Sequence, residues 1–197
     1  MLHFRDWLLK EEQKIPQGAI KVRMPGVHQQ SNYTCGSAIF RAVAQLFGID
    51  PDLSDKEWAK LMGVSKKDGL PEDKIVQWAK KLGMGVKMKK GMTDEELRSF
   101  LDKGMPVICA IQAWGDEKYY KTAESGHWAA AIGYTKRFAI FEDPFMDADP
   151  RGYLSWEELD NRWVDRCNDG RCRRLGIALW KNTVEPDRKG RVMKRIK

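Results

Sequence analysis

Long apolar runs are missing from this sequence. The longest, Val107 to Ile111 and Trp128 to Ile132, fall far short of the roughly 20 residues a helix needs to cross a bilayer, so no membrane span is expected. Cysteine is scarce, at 4 in 197 residues, which excludes a small disulfide-dense scaffold. Histidine is scarcer still, at 3, so a general base has few candidates. The N-terminus lacks the unbroken apolar stretch of a secretory signal, because Asp6, Glu11 and Glu12 interrupt Leu2, Trp7 and Leu8. Residues 1–18 read instead as a short amphipathic helical extension ended by Pro16 and Gly18, and a cytoplasmic setting is expected.

Enough apolar material is present for a real core. Hydrophobic residues make up 42% and aromatics 10%, with 8 Trp, which excludes a disordered chain. The length suits one domain, expected over 19–180. Most of the net charge of +7 sits beyond it, where Lys181, Arg188, Lys189, Arg191, Lys194, Arg195 and Lys197 face only Glu185 and Asp187. That basic stretch, 181–197, reads as a flexible, solvated tail. Basic residues are not interleaved with aromatics elsewhere, so no nucleic-acid partner is expected.

Helices come first and strands last. Ile20 to Met24 alternates weakly, as a strand would, before Pro25-Gly26. Ala38, Ile39, Ala42, Val43, Leu46 and Phe47 fall at helical spacing between Cys35 and Gly48. Ser54 and Glu57, then Thr93 and Glu96, then Ser155 and Glu158, form three capping boxes that each open a helix. Pro71 opens another, through Leu82. Pro106–Ala113, His127–Tyr134 and Phe138–Glu142 read as strands, and Asp169-Gly170 as the turn of a final hairpin, Val164–Asn168 with Arg171–Trp180. This order makes the class α+β.

Cys35 stands where a polar loop gives way to an apolar helix, so its sulfur would meet the first-turn N–H groups, which favour a thiolate. A small buried residue at a helix start is the bland alternative. His127 opens a strand, where it could serve as a base or be an ordinary strand-end residue. Asp143 ends the next strand before Pro144. If the two strands pair as a hairpin, Asp143 meets His127 at one edge and can orient the ring; otherwise it merely ends a strand. Gln29 lies six residues before Cys35 and could turn its amide toward an oxyanion beside the Cys35 N–H. Gln30 competes for that role, and either could be a solvated loop residue.

Together the runs VHQQSNYTCGSAIFRAVAQLFGI, GHWAAAIGY and FEDP resemble cysteine peptidase family 39, the bacteriocin-processing, double-glycine-leader peptidases and their stand-alone relatives. The resemblance extends over about Val22 to Trp163. It implies a papain-like fold with Cys35 as nucleophile, His127 as base, Asp143 as orienting acid and Gln29 in the oxyanion hole. It also implies cleavage of a peptide or protein substrate through an acyl-enzyme, with no cofactor. Thr34 stands where an Asp often precedes the Cys in transporter-linked members, so the resemblance speaks for the chemistry more than for double-glycine specificity. An acyltransferase on the same site and an inactive peptide-binding relative are the alternatives.

The other cysteines have plainer readings. Cys109 is expected in a buried strand. A turn at Asp169-Gly170 sets Cys167 directly opposite Cys172, where a disulfide is feasible. In a cytosolic setting the two are expected as reduced thiols. A zinc site would need two further ligands, and no second Cys/His pair supplies them. Trp114, Tyr119, Tyr120 and Trp128 could line a cleft, with Trp128 better suited to the core.

Overall fold

The computed structural model describes residues 16–49, 53–113, 120, 122–145 and 151–181. Most of the expected N-terminal extension and basic tail, together with Trp114 and Tyr119, lie outside these residues. Five helices and eight strands are described: α1 Cys35–Leu46, α2 Asp55–Met62, α3 Glu72–Lys81, β1 Met84–Lys89, α4 Asp94–Asp102, β2 Val107–Gln112, β3 Gly126–Tyr134, β4 Phe138–Glu142, β5 Arg151–Ser155, α5 Trp156–Arg162, β6 Val164–Cys167, β7 Gly170–Arg173 and β8 Gly176–Lys181. Among the described residues no helix is long and apolar enough to cross a membrane.

The helix starts follow from local chemistry. Ser54, Thr93 and Ser155 each accept the backbone N–H three residues on, while Glu57, Glu96 and Glu158 reach back to the cap. Six strands form one antiparallel sheet in the order β1-β8-β2-β3-β4-β5, and β6-β7 form a separate hairpin. The central strands β2 and β3 are apolar on both faces, because helices and the hairpin cover them. Helix α1 packs on β3, and Ile39, Phe40, Ala42, Val43 and Ala44 are all removed from water.

Several sequence expectations need correction. Ile20 makes only an isolated bridge to Gly133, so Ile20–Met24 is an extended segment rather than a strand. Two strands had no sequence signal. β1 carries Lys87 and Lys89 and is half exposed, yet β8 pairs with its whole length. β5 continues the sheet beyond β4.

The final hairpin turns at Asn168-Asp169, one residue earlier than Asp-Gly suggests, because Gly170 at φ +109° pairs with Cys167. Its second arm also ends early. Arg174 turns to φ +53°, held by Met92 O at 2.6 Å, Asp160 Oδ1 at 2.6 Å and Asp94. β8 then joins the large sheet. In this register Cys172 faces Asp165 and lies diagonally across from Cys167. Their Cα atoms are 5.8 Å apart and the sulfurs are bonded, so the expected reduced thiols give way to a disulfide.

Gly36 sets how closely α1 meets β3. A Cβ built there would lie 2.8 Å from Leu70 Cβ and 2.9 Å from Trp128 Cδ1. We therefore expect Gly36→Ala to destabilise the fold by about 1–3 kcal/mol, as overpacking does, measured as a lowered midpoint of urea unfolding. An unchanged midpoint would show that helix and strand have slack between them.

Candidate active site

Cys35 is the first residue of α1, and it is buried. Its neighbour Thr34 does not cap the helix. The Thr34 hydroxyl is turned back on the preceding loop, donating to Ser31 O at 3.1 Å and accepting from Ser31 N–H at 3.1 Å. With no side-chain cap and no acidic residue in the first turn, the N–H dipoles there are directed at the thiol's surroundings.

His127 is the second residue of β3, opposite Ile111 of β2, and its side chain is closed off from water. β4 runs back along β3, pairing Glu142 with Ala130, so Asp143 emerges beside the start of β3. The hairpin geometry expected from the sequence is therefore present. His127 Nε2 and Asp143 Oδ1 are 2.7 Å apart, and Phe145 N–H donates to the same oxygen at 2.9 Å. With Nε2 engaged, Nδ1 is the nitrogen left for the Cys35 sulfur.

The charges in this cluster are coupled. Burial by itself disfavours the His127 cation. The Asp143 carboxylate, then Cys35, outweigh that through charge and hydrogen bonding, and carry the imidazole up to about 10. Burial works against Asp143 as well, and the His127 charge and hydrogen bond overcome it, holding the carboxyl below its ordinary range. An imidazolium at neutral pH, already oriented by a carboxylate, is thus built into the fold.

The Gln29 loop is tied to the same corner. Gln29 N–H donates to Pro144 O at 2.8 Å, which places the loop beside Asp143. One amide hydrogen of Gln29 goes to Ser31 O at 2.8 Å, and the second remains for another acceptor. Gln29 Oε1 is buried without a hydrogen-bond partner among the described residues. Gln30 turns elsewhere, donating to Asp55 Oδ2 of α2 at 3.2 Å. The two neighbouring amides thus face different partners.

Two apolar grooves are present. One, of about 480 Å³, runs from Thr34 and Ser37 along α2 past Trp58 and Val64. The other, of about 490 Å³, lies between residues 16–19 and Tyr134–Ile140; neither is lined by any of the four candidate residues, whereas a smaller hollow of about 130 Å³ is lined by Gln29, Pro144 and Phe145. Among the described residues no three His, Cys, Asp or Glu side chains are grouped to hold a metal ion. Cys109 is buried in β2, where loss of water pushes its thiol well up. Trp128 is core, as expected, with its indole N–H on Leu70 O at 3.0 Å.

Sequence reasoning missed one acidic group set against Gly126, the residue before His127. Asp165 of β6 places its carboxylate 2.5–2.9 Å from where a Gly126 Cβ would stand. It accepts from Gln112 Nε2 at 3.3 Å and from Arg166 N–H at 2.8 Å. No local signal could reveal it, because an Asp in a hairpin strand is unremarked until the fold sets it against β3.

The closeness to known structures agrees with this geometry. The peptidase domain of Streptococcus ComA, a bifunctional ABC transporter of a quorum-sensing pathway, is similar at TM-score 0.56 and 23% identity, over 79% of this chain and 97% of that one. A double glycine motif protease from an AMS/PCAT transporter, solved with its leader peptide, is similar at TM-score 0.57 and 18% identity, over 83% and 99%. A C39-like protein from Bacillus anthracis reaches TM-score 0.63 at 17% identity, over 84% and 98%. No curated protein sequence matches the chain. These likenesses show the papain-like peptidase fold, and the model of the Peptidase_C39 like family matches residues 21–168, most of the chain, so the protein belongs to that family, whose fold is that of cysteine peptidases.

Proposed function

We propose that this chain hydrolyses amide bonds of a peptide or protein substrate, with Cys35 as nucleophile. The observation that carries this reading is the 2.7 Å contact between His127 Nε2 and Asp143 Oδ1, with Cys35 acting on the same imidazole. Cys35 attacks the scissile carbonyl as a thiolate paired with imidazolium. The carbonyl oxygen becomes an oxyanion, which the Cys35 N–H and the second amide hydrogen of Gln29 receive. His127 gives its proton to the leaving amine, which departs as the thioester forms. Neutral His127 then takes a proton from water, and the hydroxyl attacks the thioester to release the acid and restore the thiolate paired with imidazolium. Asp143 keeps the ring in place throughout.

The groove of about 480 Å³ that begins at Thr34, the residue before Cys35, offers an apolar floor with Asp55, Lys56 and Lys60 among its lining for the part of a peptide that extends away from the thiol. The neighbour solved with a leader peptide supports a peptide as the occupant.

Three expectations follow from this mechanism. Cys35→Ala should abolish both peptide-library cleavage and alkylation by iodoacetamide under native conditions; persistence of either would remove Cys35 from the mechanism. Gln29→Ala should lower kcat by about 10²–10³-fold, the usual loss of one oxyanion donor, with KM little changed, as read from initial rates. The His127 proton is the acid for the leaving group, so kcat/KM should hold through neutral pH and fall as pH rises through about 10. A fall centred near the ordinary histidine range would contradict the buried ion pair.

A further inference from the structure

The groove of about 490 Å³ is lined by none of the four candidate catalytic residues, so the mechanism leaves it unused. Its lining combines buried Ile140 of β4 with the half-buried rings of Tyr134, Phe138 and Tyr153. Phe138 and Tyr153 meet edge to face with ring centres 4.9 Å apart, which fixes that side of the groove. Lys136 and Arg137, exposed in the turn between β3 and β4, complete it. Arg137 lies over the Phe138 ring at 5.1 Å. Among the described residues neither cation is paired with a carboxylate. Covering such a surface with apolar groups removes it from water and is favourable.

The opposite wall is the turn Pro16–Ala19, and its position is fixed. Ala19 N–H donates to Pro16 O at 3.1 Å, around Gly18 at φ +79°. Ala19 O accepts Tyr134 N–H at 2.8 Å. This approach requires that Gly133 has no side chain, because a Cβ there would stand 2.2 Å from Ala19 O. Pro16 is thereby held at the edge of the groove, and the chain that precedes it sets out from there.

We propose that residues 1–15 of this chain, which lie outside the described residues, occupy the groove. Phe4, Trp7 and Leu8 fall at i, i+3 and i+4, one face of a helix, and are the side chains to meet the aromatic lining. Glu11 and Glu12 stand five and four residues before Pro16, within a short reach of Lys136 and Arg137. The segment is neutral overall, with Arg5, Lys10 and Lys14 against Asp6, Glu11 and Glu12. Apolar contact therefore supplies the affinity, and the adjacent acids set the direction in which the segment lies. Tethering decides the occupant: a segment joined directly to the wall is present at an effective concentration in the millimolar range, which a free partner would have to exceed. The proposal stands apart from the peptidase reading, since the groove holds no catalytic residue.

The test places the photoreactive residue p-benzoylphenylalanine at Lys136 of the full chain, an exposed turn position outside the core. Irradiation should join it to a peptide from residues 1–15 of the same chain, read by mass spectrometry of the monomer band. Trp7→Asp combined with Leu8→Asp should reduce that yield about tenfold or more, because two large apolar contacts are lost. Cross-links found only in covalent dimers would put the segment of a second copy in the groove and overturn the assignment. Cross-links to other regions alone, no cross-link at all, or a yield that the double substitution leaves unchanged would overturn it as well. Hydrogen exchange of the unsubstituted chain covers the case of a probe that disturbs the groove. Amides of residues 4–12 should exchange about tenfold or more slowly than in the isolated peptide of residues 1–15. Equal rates overturn the proposal whatever the cross-links show.

Discussion

The close approach of α1 to β3 is the constraint on which the site depends. Catalytic use of a thiol and an imidazole requires that a helix end and a strand start meet within hydrogen-bonding reach. That leaves no room for a side chain between them. Gly36 provides the contact: Leu70 and Trp128 occupy the space its side chain would fill. Trp128 is in turn fixed by its indole bond to Leu70 O. The residue after Cys35 and the residue after His127 are thus the two surfaces in contact, so the packing of the core and the spacing of the site are one arrangement.

Burial makes that arrangement electrostatically demanding. An imidazolium removed from water loses several kcal/mol of hydration unless opposite charge replaces it. His127 and Asp143 are both nearly closed off, so each needs the other, and removing one would leave an uncompensated group. The backbone shares the task. Phe145 N–H supports Asp143, and Pro144 O anchors Gln29, so the Asp-Pro turn holds Asp143 and the Gln29 loop together. A single turn of chain serves both.

Legibility in the sequence followed locality. The capping boxes at Ser54, Thr93 and Ser155 were readable because their partners lie three residues apart, and the structure forms all three. The order Gln29, Cys35, His127, Asp143 was readable because motif and hairpin register bring the last two together. β1 was not, since its partner β8 lies far along the chain and its own residues are half charged. The last hairpin was misread by one residue. Asp-Gly is a turn signal, but Gly170 is used as the first strand residue after the turn, and the shift makes the cysteines diagonal neighbours. The choice between Gln29 and Gln30 depended on Asp55 of another helix, which no local pattern encodes.

Asp165 belongs to the same class of hidden residue, and its energetics give it meaning. A carboxyl set against backbone, near Glu72 and away from full solvation, is disfavoured as an anion. Asparagine would fill the position with the same hydrogen bonds and without the charge. The bonded Cys167–Cys172 pair lies in the same hairpin and holds β6 and β7 together where Asp165 lies against Gly126 of β3. The hairpin is thereby more than a cover for the end of the sheet: its cross-link ties the strand that carries Asp165 to its partner.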